Sequence, residues 1–467
     1  MKLQRILSGV VAAAAVVSLA ACGGAGQSAE KGVTDTKADK GLDVIGTTVK
    51  YDPNHLVNDG KPITIDYWTW NGEGDTARPS FEEYSKIHPN VTIKVTNVTF
   101  DDYFTKLPLQ LKGKDGPALF AVHNSYDNVL SPYLAAYDIP VEDLEADYLG
   151  VAEHVKDGKV SYIDSIINTG VWYYNKDLWA EAGLTDADIP QTWDDMREVA
   201  KKMTKRDGDK ITQAGINFNG NSEYNAMWQG MNYAQGATLF KKDGTTVNYD
   251  NSATKNALKM IKSIYEDDKS GSPDFGSDAQ QSFGNGQSAM VYQWGHFAID
   301  LGEKYPDINW GVFAPPTFGD GEPFAYERYN GESTPGINKN QSADQQAVAQ
   351  DIIQYLLASD DFSKNTSLNF GAVPAKKTLS EDKDIQAMPA YAAVSPRLDR
   401  LIWPGPVPST LETTTNKVYE DVFYNGKSID DAVADGQAAM QKDLDDLSEP
   451  FTSLESQYAH YDEAKIQ

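Results

Sequence analysis

The 467-residue sequence predicts an α/β protein with more than one domain. Strand-like and helix-like segments alternate from Ile63 onward, which is typical of mostly parallel sheets flanked by helices. The length exceeds what one ordinary hydrophobic core organises and therefore indicates two or three domains. No internal repeat or long low-complexity segment follows residue 60, so a solenoid fold is not expected.

The first strand–helix–strand unit illustrates the pattern. In ITIDYWTW, Ile63, Ile65 and Tyr67 share one face of a predicted strand. RPSFEEYSKIHP predicts a helix that ends near His88, because the proline that follows cannot continue it. VTIKVTNVTF predicts the second strand.

Later segments have the spacing of surface helices. PQTWDDMREVAKKM offers Thr192 as an N-cap after a proline. The other predicted helices are SATKNALKMIKSIYEDD, SADQQAVAQDIIQYLLAS and a closing pair at residues 429–441 and 443–446.

Charge and cysteine content exclude several functional classes. The formal net charge of -27 argues against binding to nucleic acid or to an anionic membrane surface. The single cysteine, Cys22, rules out an internal disulfide, so packing must hold the fold. No phosphate-binding GxxxxGK[ST] loop and no GxSxG nucleophile motif are present.

The pattern of the N-terminal residues predicts an export signal. Lys2 and Arg5 precede an apolar run that is too short to span a membrane and that ends in LAAC. We expect a lipoprotein signal peptide at residues 1–21 and lipidation of Cys22. Residues 22–60 are then expected to form the lipid anchor and a flexible tether, which places the protein on the extracellular face of a bacterial membrane.

Polar side chains follow two predicted strands at their carboxyl ends. In open α/β sheets these ends line the ligand-binding mouth. The candidates are Trp70, Asn71 and Glu73 after the first strand, and His123, Asn124 and Tyr126 after PALFAV. A core position for Trp70 remains an equal alternative. A metal site at His123 is not expected, because no second ligand lies at the required spacing.

Four sequence motifs occur in a fixed order along the chain after residue 60. They are YYNKDLWAEAGL with IPQTWDDM, then FGNGQSAMVYQWG, NWGVFAPPTF and FGAVPAKK. In this order they resemble the carbohydrate-type solute-binding proteins of bacterial ABC importers, the group that includes maltodextrin-binding protein. The resemblance covers the chain from about residue 63 onward.

The resemblance implies two α/β lobes, each a mostly parallel sheet flanked by helices and joined by hinge segments. By analogy the first lobe comprises residues 61–166 and 308–335. The second comprises residues 170–303 and 340–467. Hinges are expected near Asn168, Tyr305 and Gly336.

The resemblance also implies a binding function in which no reaction is catalysed. A monomer would bind an oligosaccharide between its lobes and deliver it unchanged to an ABC importer permease, with no cofactor and no metal. Aromatic faces beside amide, carboxylate and imidazole groups suit sugars, because they match C–H faces and hydroxyl rims. The further candidates for ligand contact are Asn168, Glu223, Tyr224, Asn225, Trp228, Trp294, Gly295, His296, Tyr329, Asn330 and Trp403.

Several alternatives stay open at this point. Trp228, Trp294 and Trp403 could be packed in a core or on a lobe surface, and Glu327 beside Arg328 could form a surface ion pair. A secreted glycoside hydrolase would need two carboxylates at a set separation, which sequence spacing cannot reveal. A protein of the same architecture that binds a peptide or a polyamine is the third hypothesis.

Overall fold

The computed structural model describes residues 40–218, 221–276, 278–319, 321–447, 450–458, 460–462 and 466, with only the backbone at 101 and 221–223. The predicted signal peptide and Cys22 lie outside these residues. Within the described residues, no helix is both long enough and apolar enough to cross a bilayer.

The strands and helices alternate as the sequence predicts. The strands are β1 Ile63–Thr69, β2 Val91–Asn97, β3 Leu119–Phe120, β4 Leu134–Ala135, β5 Ile166–Asn175, β6 Lys205–Asp207, β7 Lys210–Gln213, β8 Met290–Trp294, β9 Trp310–Phe313, β10 Glu327–Asn330, β11 Gly336–Asn338, β12 Val373–Pro374 and β13 Leu401–Ile402. The helices of the first half are α1 Arg78–Ile87, α2 Phe100–Leu111, α3 Asp127–Leu130, α4 Val141–Asp147, α5 Lys176–Glu181, α6 Trp193–Met203, α7 Asn221–Tyr233 and α8 Ser252–Glu266. Those of the second half are α9 Ala279–Gly284, α10 Phe297–Lys304, α11 Ala343–Ala358, α12 Asp360–Phe370, α13 Lys383–Gln386, α14 Pro389–Val394, α15 Ser409–Phe423 and α16 Ile429–Asp445.

Local signals account for individual boundaries. Helix α6 begins after Thr192, whose side chain accepts from the backbone N–H of Asp195, while the Asp195 carboxylate accepts from the backbone N–H of Thr192. This reciprocal pair satisfies two donors that would otherwise lack partners at a helix start. Helix α1 ends at Ile87, one residue before His88, as the following proline requires.

Two sheets form the cores of two lobes. The first has the order β2-β1-β3-β11-β4, and β1 runs parallel to both β2 and β3. The second is built around β5, whose neighbours β8, β9, β10 and β12 are all antiparallel to it. The expected mostly parallel sheet is therefore wrong for the second lobe, because β5 leaves the junction between the lobes while its neighbours run back toward it.

Strand β5 connects the two cores. All its residues are buried, and successive side chains point to opposite faces of the sheet. Val171 and Tyr173 join the core that fills the first lobe and continues onto the near face of β5. Trp172 and Tyr174 join the core of the second lobe.

The expected lobe boundaries are wrong in two places. Strands β9 and β10 both pair with β5, so residues 310–313 and 327–330 belong to the second sheet. Helix α11 packs on α1, β1 and β11, so residues 343–358 belong to the first lobe. The chain crosses between the sheets just before β5, between β10 and β11, and between α12 and β12. Asn168 and Gly336 lie beside the first two crossings, whereas Tyr305 lies between α10 and β9, against Gly284 of α9.

The expected tether also ends earlier than residue 60. Ile45 and Tyr51 pair as an antiparallel bridge, and Val49, Tyr51 and Val57 are buried against the first lobe. Residues 45–57 are therefore packed structure, because their apolar side chains have a core to join.

Candidate functional site

The carboxyl ends of the first-lobe strands meet at the junction between the lobes. Trp70 follows the end of β1, and His123 lies three residues beyond β3. Strand β11 runs antiparallel to β3, so the residues that precede β11 lie at the same edge. Glu332 is among them and pairs with His123 as an isolated antiparallel bridge. The predicted mouth is thus assembled from three distant segments.

A cluster of rings, which we call the aromatic wall, covers the first-lobe side. The rings of Phe104 and Tyr126 are stacked, with centroids 3.6 Å apart and an interplanar angle of 3°. His123 lies 5.9 Å from Trp70 and 5.7 Å from Tyr126, centroid to centroid. Burial, with a smaller contribution from Arg328, lowers the pKa of His123 to about 4. The imidazole is therefore neutral at neutral pH and can both donate and accept a hydrogen bond.

Phe100 and Phe104 complete the aromatic wall and were not predicted. Both belong to α2, and Phe100 remains 42% exposed. Their spacing of four residues puts them on one side of the helix. Two phenylalanines at that spacing in TFDDYFTKL, directly after a strand end, were the signal that could have identified them.

The second-lobe side of the cleft carries one principal ring. Strand β8 ends at Trp294, which faces Gly170 of β5 in register. The Arg328 guanidinium carbon lies 5.0 Å from the centroid of the Trp294 ring. Trp294 is partly exposed, so one part of the indole packs on the lobe while another remains available. His296 follows at the start of α10, and burial lowers its pKa.

Gly295 lies where the two lobes touch. A Cβ built on Gly295 would lie 2.5 Å from the carbonyl oxygen of Gly371, at the C-terminus of α12. Gly371 itself adopts φ 57°, a left-handed conformation that favours glycine. The glycine in QWGHF therefore serves a close approach between two backbones rather than an approach to a ligand ring.

Three polar atoms at the junction have no hydrogen-bond partner among the described residues. They are Asn124 Oδ1, Asn168 Oδ1 and Arg328 Nε, and each is buried. Asn124 Nδ2 donates to the carbonyl of Gly331 at 3.4 Å, and Asn168 pairs in register with Asn330 of β10. Buried polar atoms without partners are uncommon in folded proteins and cost free energy.

Two carboxyl groups near the cleft are held protonated. Glu327 is 2% exposed and accepts from Tyr292 Oη at 3.0 Å and from the backbone N–H of Arg328 at 2.9 Å. Burial raises its pKa to about 8, so the expected surface ion pair with Arg328 is wrong. Burial, followed by the charges of Asp164 and Asp75, raises the pKa of Glu332 to about 8 as well.

A cavity of about 620 Å³ opens beside the junction. Its first-lobe side includes Asp127, His154 and Tyr162, and its second-lobe side includes Trp403 and Phe451. Trp403 follows β13 and is 4% exposed, with its ring 4.6 Å from that of His154 at an interplanar angle of 25°. The edge of Trp403 therefore borders the cavity, while one of its faces is already covered.

Other predicted residues do not reach the cleft. Tyr224 is 1% exposed and packs on Tyr419, with ring centroids 5.0 Å apart. Trp228 is a core residue whose Nε1 donates to Thr254 Oγ1 at 3.1 Å. Tyr329 is buried within β10.

The remaining candidates are peripheral or outside the described part. Asn225 is buried beside a small cavity that Arg328 also lines. The Glu73 side chain is 95% exposed and lies 3.6 Å from Arg78, whereas Asn71 is partly buried at the rim. The side chain of Glu223 lies outside the described residues.

Comparisons with known proteins agree with this description of the fold and the cleft. A model of the family described as bacterial extracellular solute-binding protein matches residues 68–361. A putative binding protein of Brucella abortus (strain 2308) is 24% identical over 320 residues, which cover 64% of this chain and 73% of that protein. An arabinooligosaccharide-binding protein of Bacillus subtilis (strain 168) is 26% identical over 216 residues, which cover 44% of this chain and 47% of that protein.

A solved structure shares the fold. The GacH receptor of Streptomyces glaucescens GLA.O, studied without ligand and in complex with acarbose, matches with a TM-score of 0.66 at 21% identity, covering 82% of this chain and 99% of that chain. This similarity confirms the predicted two-lobed α/β architecture. Because the family model spans more than half of the sequence, the chain belongs to the bacterial extracellular solute-binding proteins.

Proposed function

We propose that this protein captures an oligosaccharide in the cleft between its lobes and delivers it, chemically unchanged, to the permease of an ABC importer. The observation that carries the proposal is the pairing of aromatic faces with polar atoms that have no partner among the described residues. Trp294 and the aromatic wall offer flat apolar surface, and Asn124, Asn168 and Arg328 offer buried polar atoms beside it. Sugars present C–H faces and hydroxyl rims, so both halves of this pairing suit them.

The charge state of the cleft supports a neutral ligand. Near neutral pH the raised pKa of Glu332 keeps its carboxyl largely protonated, and the lowered pKa of His123 keeps its imidazole uncharged. Both groups can then donate and accept hydrogen bonds with hydroxyls.

The relatives support the same ligand class. One of the curated relatives is named for arabino-oligosaccharides, and the GacH receptor was studied with acarbose. The identities are low and side chains at the cleft determine which sugar is bound, so we extend the ligand class to this protein and not the individual sugar.

We further propose that Cys22 is lipidated after removal of residues 1–21. The LAAC segment and the stretch that follows, which is rich in Gly, Ala, Asp and Lys, support an anchored protein on the extracellular face of the membrane. Mass spectrometry of membrane-extracted protein is expected to show an acylated N-terminal Cys22. An unmodified cysteine, or an intact signal segment, would contradict this part of the proposal.

Calorimetry with a panel of di- to tetrasaccharides, followed by analysis of the recovered sugar, tests the main proposal. We expect heat, one site per chain, and intact sugar after incubation. Hydrolysed sugar would favour the glycoside hydrolase, in which the high pKa of Glu332 would serve a general acid. If no saccharide gives heat or raises the melting temperature, oligosaccharide binding is wrong.

Substitution of Asn168 by aspartate tests whether the saccharide binds in the cleft between the lobes. The change keeps the size of the side chain but puts a charge in a buried position, so saccharide affinity should fall by at least about tenfold. Asn248→Asp is the matched control, because Asn248 lies in the second lobe, away from the cleft, next to the short Phe240–Val247 bridge. Equal affinity in both variants would place the binding site elsewhere.

A further inference from the structure

The N-terminal segment meets the first lobe at a group of metal-ligating side chains. His55 follows the Ile45–Tyr51 bridge, His88 lies just past the end of α1, and Asp351 belongs to α11. One potential ligand atom from each of the three lies within 4.8 Å of the others. Among the described residues this group is the only one of three or more His, Cys, Asp or Glu side chains with that geometry. It lies away from the cleft, on the helical side of the first lobe.

We propose that His55, His88 and Asp351 bind one divalent transition-metal ion of the zinc class. Two imidazoles and one carboxylate form a common ligand set for Zn²⁺, with a fourth position left for water or another oxygen. Bonds of about 2.0–2.2 Å in a tetrahedron place ligand atoms roughly 3.3 Å apart. His55 Nε2 and Asp351 Oδ1 are 2.6 Å apart, and all three ligand atoms lie within 4.8 Å of one another, so movements of about 1 Å by rotatable side chains suffice.

Partners of the proposed ligands support this assignment. His55 Nδ1 lies 2.6 Å from the carbonyl oxygen of Asp52, an outer contact that commonly fixes a metal-binding imidazole with Nε2 toward the ion. The second carboxylate oxygen of Asp351 accepts from Tyr51 Oη at 2.9 Å and from Tyr84 Oη at 2.5 Å. The carboxylate is therefore held in place from its far side.

Tyr51 connects two of the proposed ligands through its hydroxyl group. Its hydroxyl lies 2.5 Å from His88 Nε2 as well as 2.9 Å from Asp351, so it sits between two of the proposed ligands. Tyr51 is 1% exposed and its ring contacts both imidazoles edge to face. Binding would therefore replace hydrogen bonds with metal bonds at atoms that already converge.

One nearby charge opposes binding and limits its strength. Lys40 Nζ lies 3.2 Å from His88 Nδ1, while it also donates to the carbonyls of Pro53 at 3.0 Å and Ile87 at 2.8 Å. The two carbonyls can keep the ammonium in place when His88 turns to the metal. Removing the charge by Lys40→Met is expected to strengthen binding, which a role for Lys40 in packing alone would not produce.

Titration of the chelator-treated protein, free of any histidine tag, with ZnCl₂ and with CoCl₂ tests the proposal. We expect one equivalent to bind, with a rise in melting temperature and with the strong visible absorption of tetrahedral Co²⁺. His55→Gln is expected to weaken binding at least about tenfold. His460→Gln is the matched control, because His460 lies 3.7 Å from Asp399 in the second lobe and far from this group in the fold.

Two outcomes would overturn the proposal. One is the absence of saturable Zn²⁺ binding in the native chain. The other is equal binding by a variant in which both His55 and His88 are glutamine, provided that its circular dichroism and melting transition show a folded chain. The metal site is independent of the saccharide site, so saccharide calorimetry on the same variants separates the failure of one from the failure of the other.

Discussion

The two walls of the cleft are built in different ways. On the first lobe, Trp70 touches three other rings besides His123, with centroid distances between 5.0 and 5.8 Å. On the second lobe, Trp294 is partly buried against the core, as Trp70 is on the first, but its neighbour is a charged group, the guanidinium of Arg328. Beneath it lies a polar network in which Glu327 accepts from Tyr292. The two walls thus differ in their neighbours: rings surround Trp70, whereas a guanidinium and a buried hydrogen-bond network lie next to Trp294.

This difference suggests a division of labour. Under the proposed function, a change in the aromatic wall is expected to alter both folding and ligand contact. A change at Trp294 is expected to alter ligand contact more than folding, because its charged neighbour replaces the rings that surround Trp70. The aromatic wall on the first lobe and the single ring of Trp294 on the second would suit a cleft in which the second lobe closes on a ligand that the first lobe already holds.

The largest expected effect is on stability, from Trp70→Ala. Removing a ring with four aromatic neighbours should lower the free energy of unfolding by about 3 kcal/mol, the low end for a tryptophan-to-alanine change, because the ring is only partly buried. Denaturant titration followed by circular dichroism measures it. A loss as small as that of Trp294→Ala would mean that the two walls do not differ.

The second-largest expected effect is a pH-dependent loss of stability at Glu327, which belongs to the hydrogen-bond network next to Trp294. The folded-state pKa of Glu327, about 8, lies above its unfolded value, so folding binds a proton. Its stabilisation is complete at acidic pH and is lost as pH rises toward 8. Relative to Glu327→Gln, the native chain should lose roughly 2–3 kcal/mol of unfolding free energy between about pH 5 and about pH 7. Parallel pH profiles of the two proteins would contradict this assignment.

Gly295→Ala probes the contact where the residue after Trp294 meets the first lobe. The new methyl group would lie 2.5 Å from a backbone oxygen of Gly371, which cannot move as a side chain could. We expect a loss of about 2 kcal/mol in the free energy of unfolding, measured by denaturant titration. Gly302→Ala is the matched control, because a Cβ there meets no atom within 4 Å.

The smallest expected change is in the free energy of saccharide binding, and it is specific to Trp294. Trp294→Ala should weaken saccharide binding by at least about tenfold, which corresponds to about 1.4 kcal/mol, with little change in melting temperature. Calorimetry with the best saccharide of the panel measures it. Trp68→Ala is the control, since Trp68 is also partly buried but donates to Asp66 on β1. Unchanged affinity would assign Trp294 to packing.

Much of this organisation was predictable from the sequence. Alternation in ITIDYWTW and the Thr192 cap located β1 and α6, and the family resemblance indicated the two lobes. The assignment of lobes to residues 308–335 and 340–467 failed because the chain changes lobes within short segments that no periodicity marks. Trp70 and Trp294 occur in similar aromatic and polar surroundings in the sequence, and only tertiary packing distinguishes their environments.

The candidate site was predictable in part. Strand ends correctly brought Trp70, His123 and Asn124 to one edge, since the carboxyl ends of parallel strands meet. Tyr224 was misassigned because helical spacing does not reveal which face a neighbouring helix covers, and here Tyr419 of α15 covers it. The protonated state of Glu332 depends on burial and on the charges of Asp164 and Asp75, residues distant in sequence that only the fold brings together.

Strand β5 has a consequence for the order in which the chain folds. Its partners β8, β9, β10 and β12 follow it by roughly one hundred to two hundred residues, so the sheet cannot close until most of the polypeptide is available. A chain emerging N-terminus first therefore lacks the pairing partners of its central strand for most of its synthesis. Assembly of the cleft, which needs both lobes, is therefore delayed until the residues of β12 are available to pair with β5.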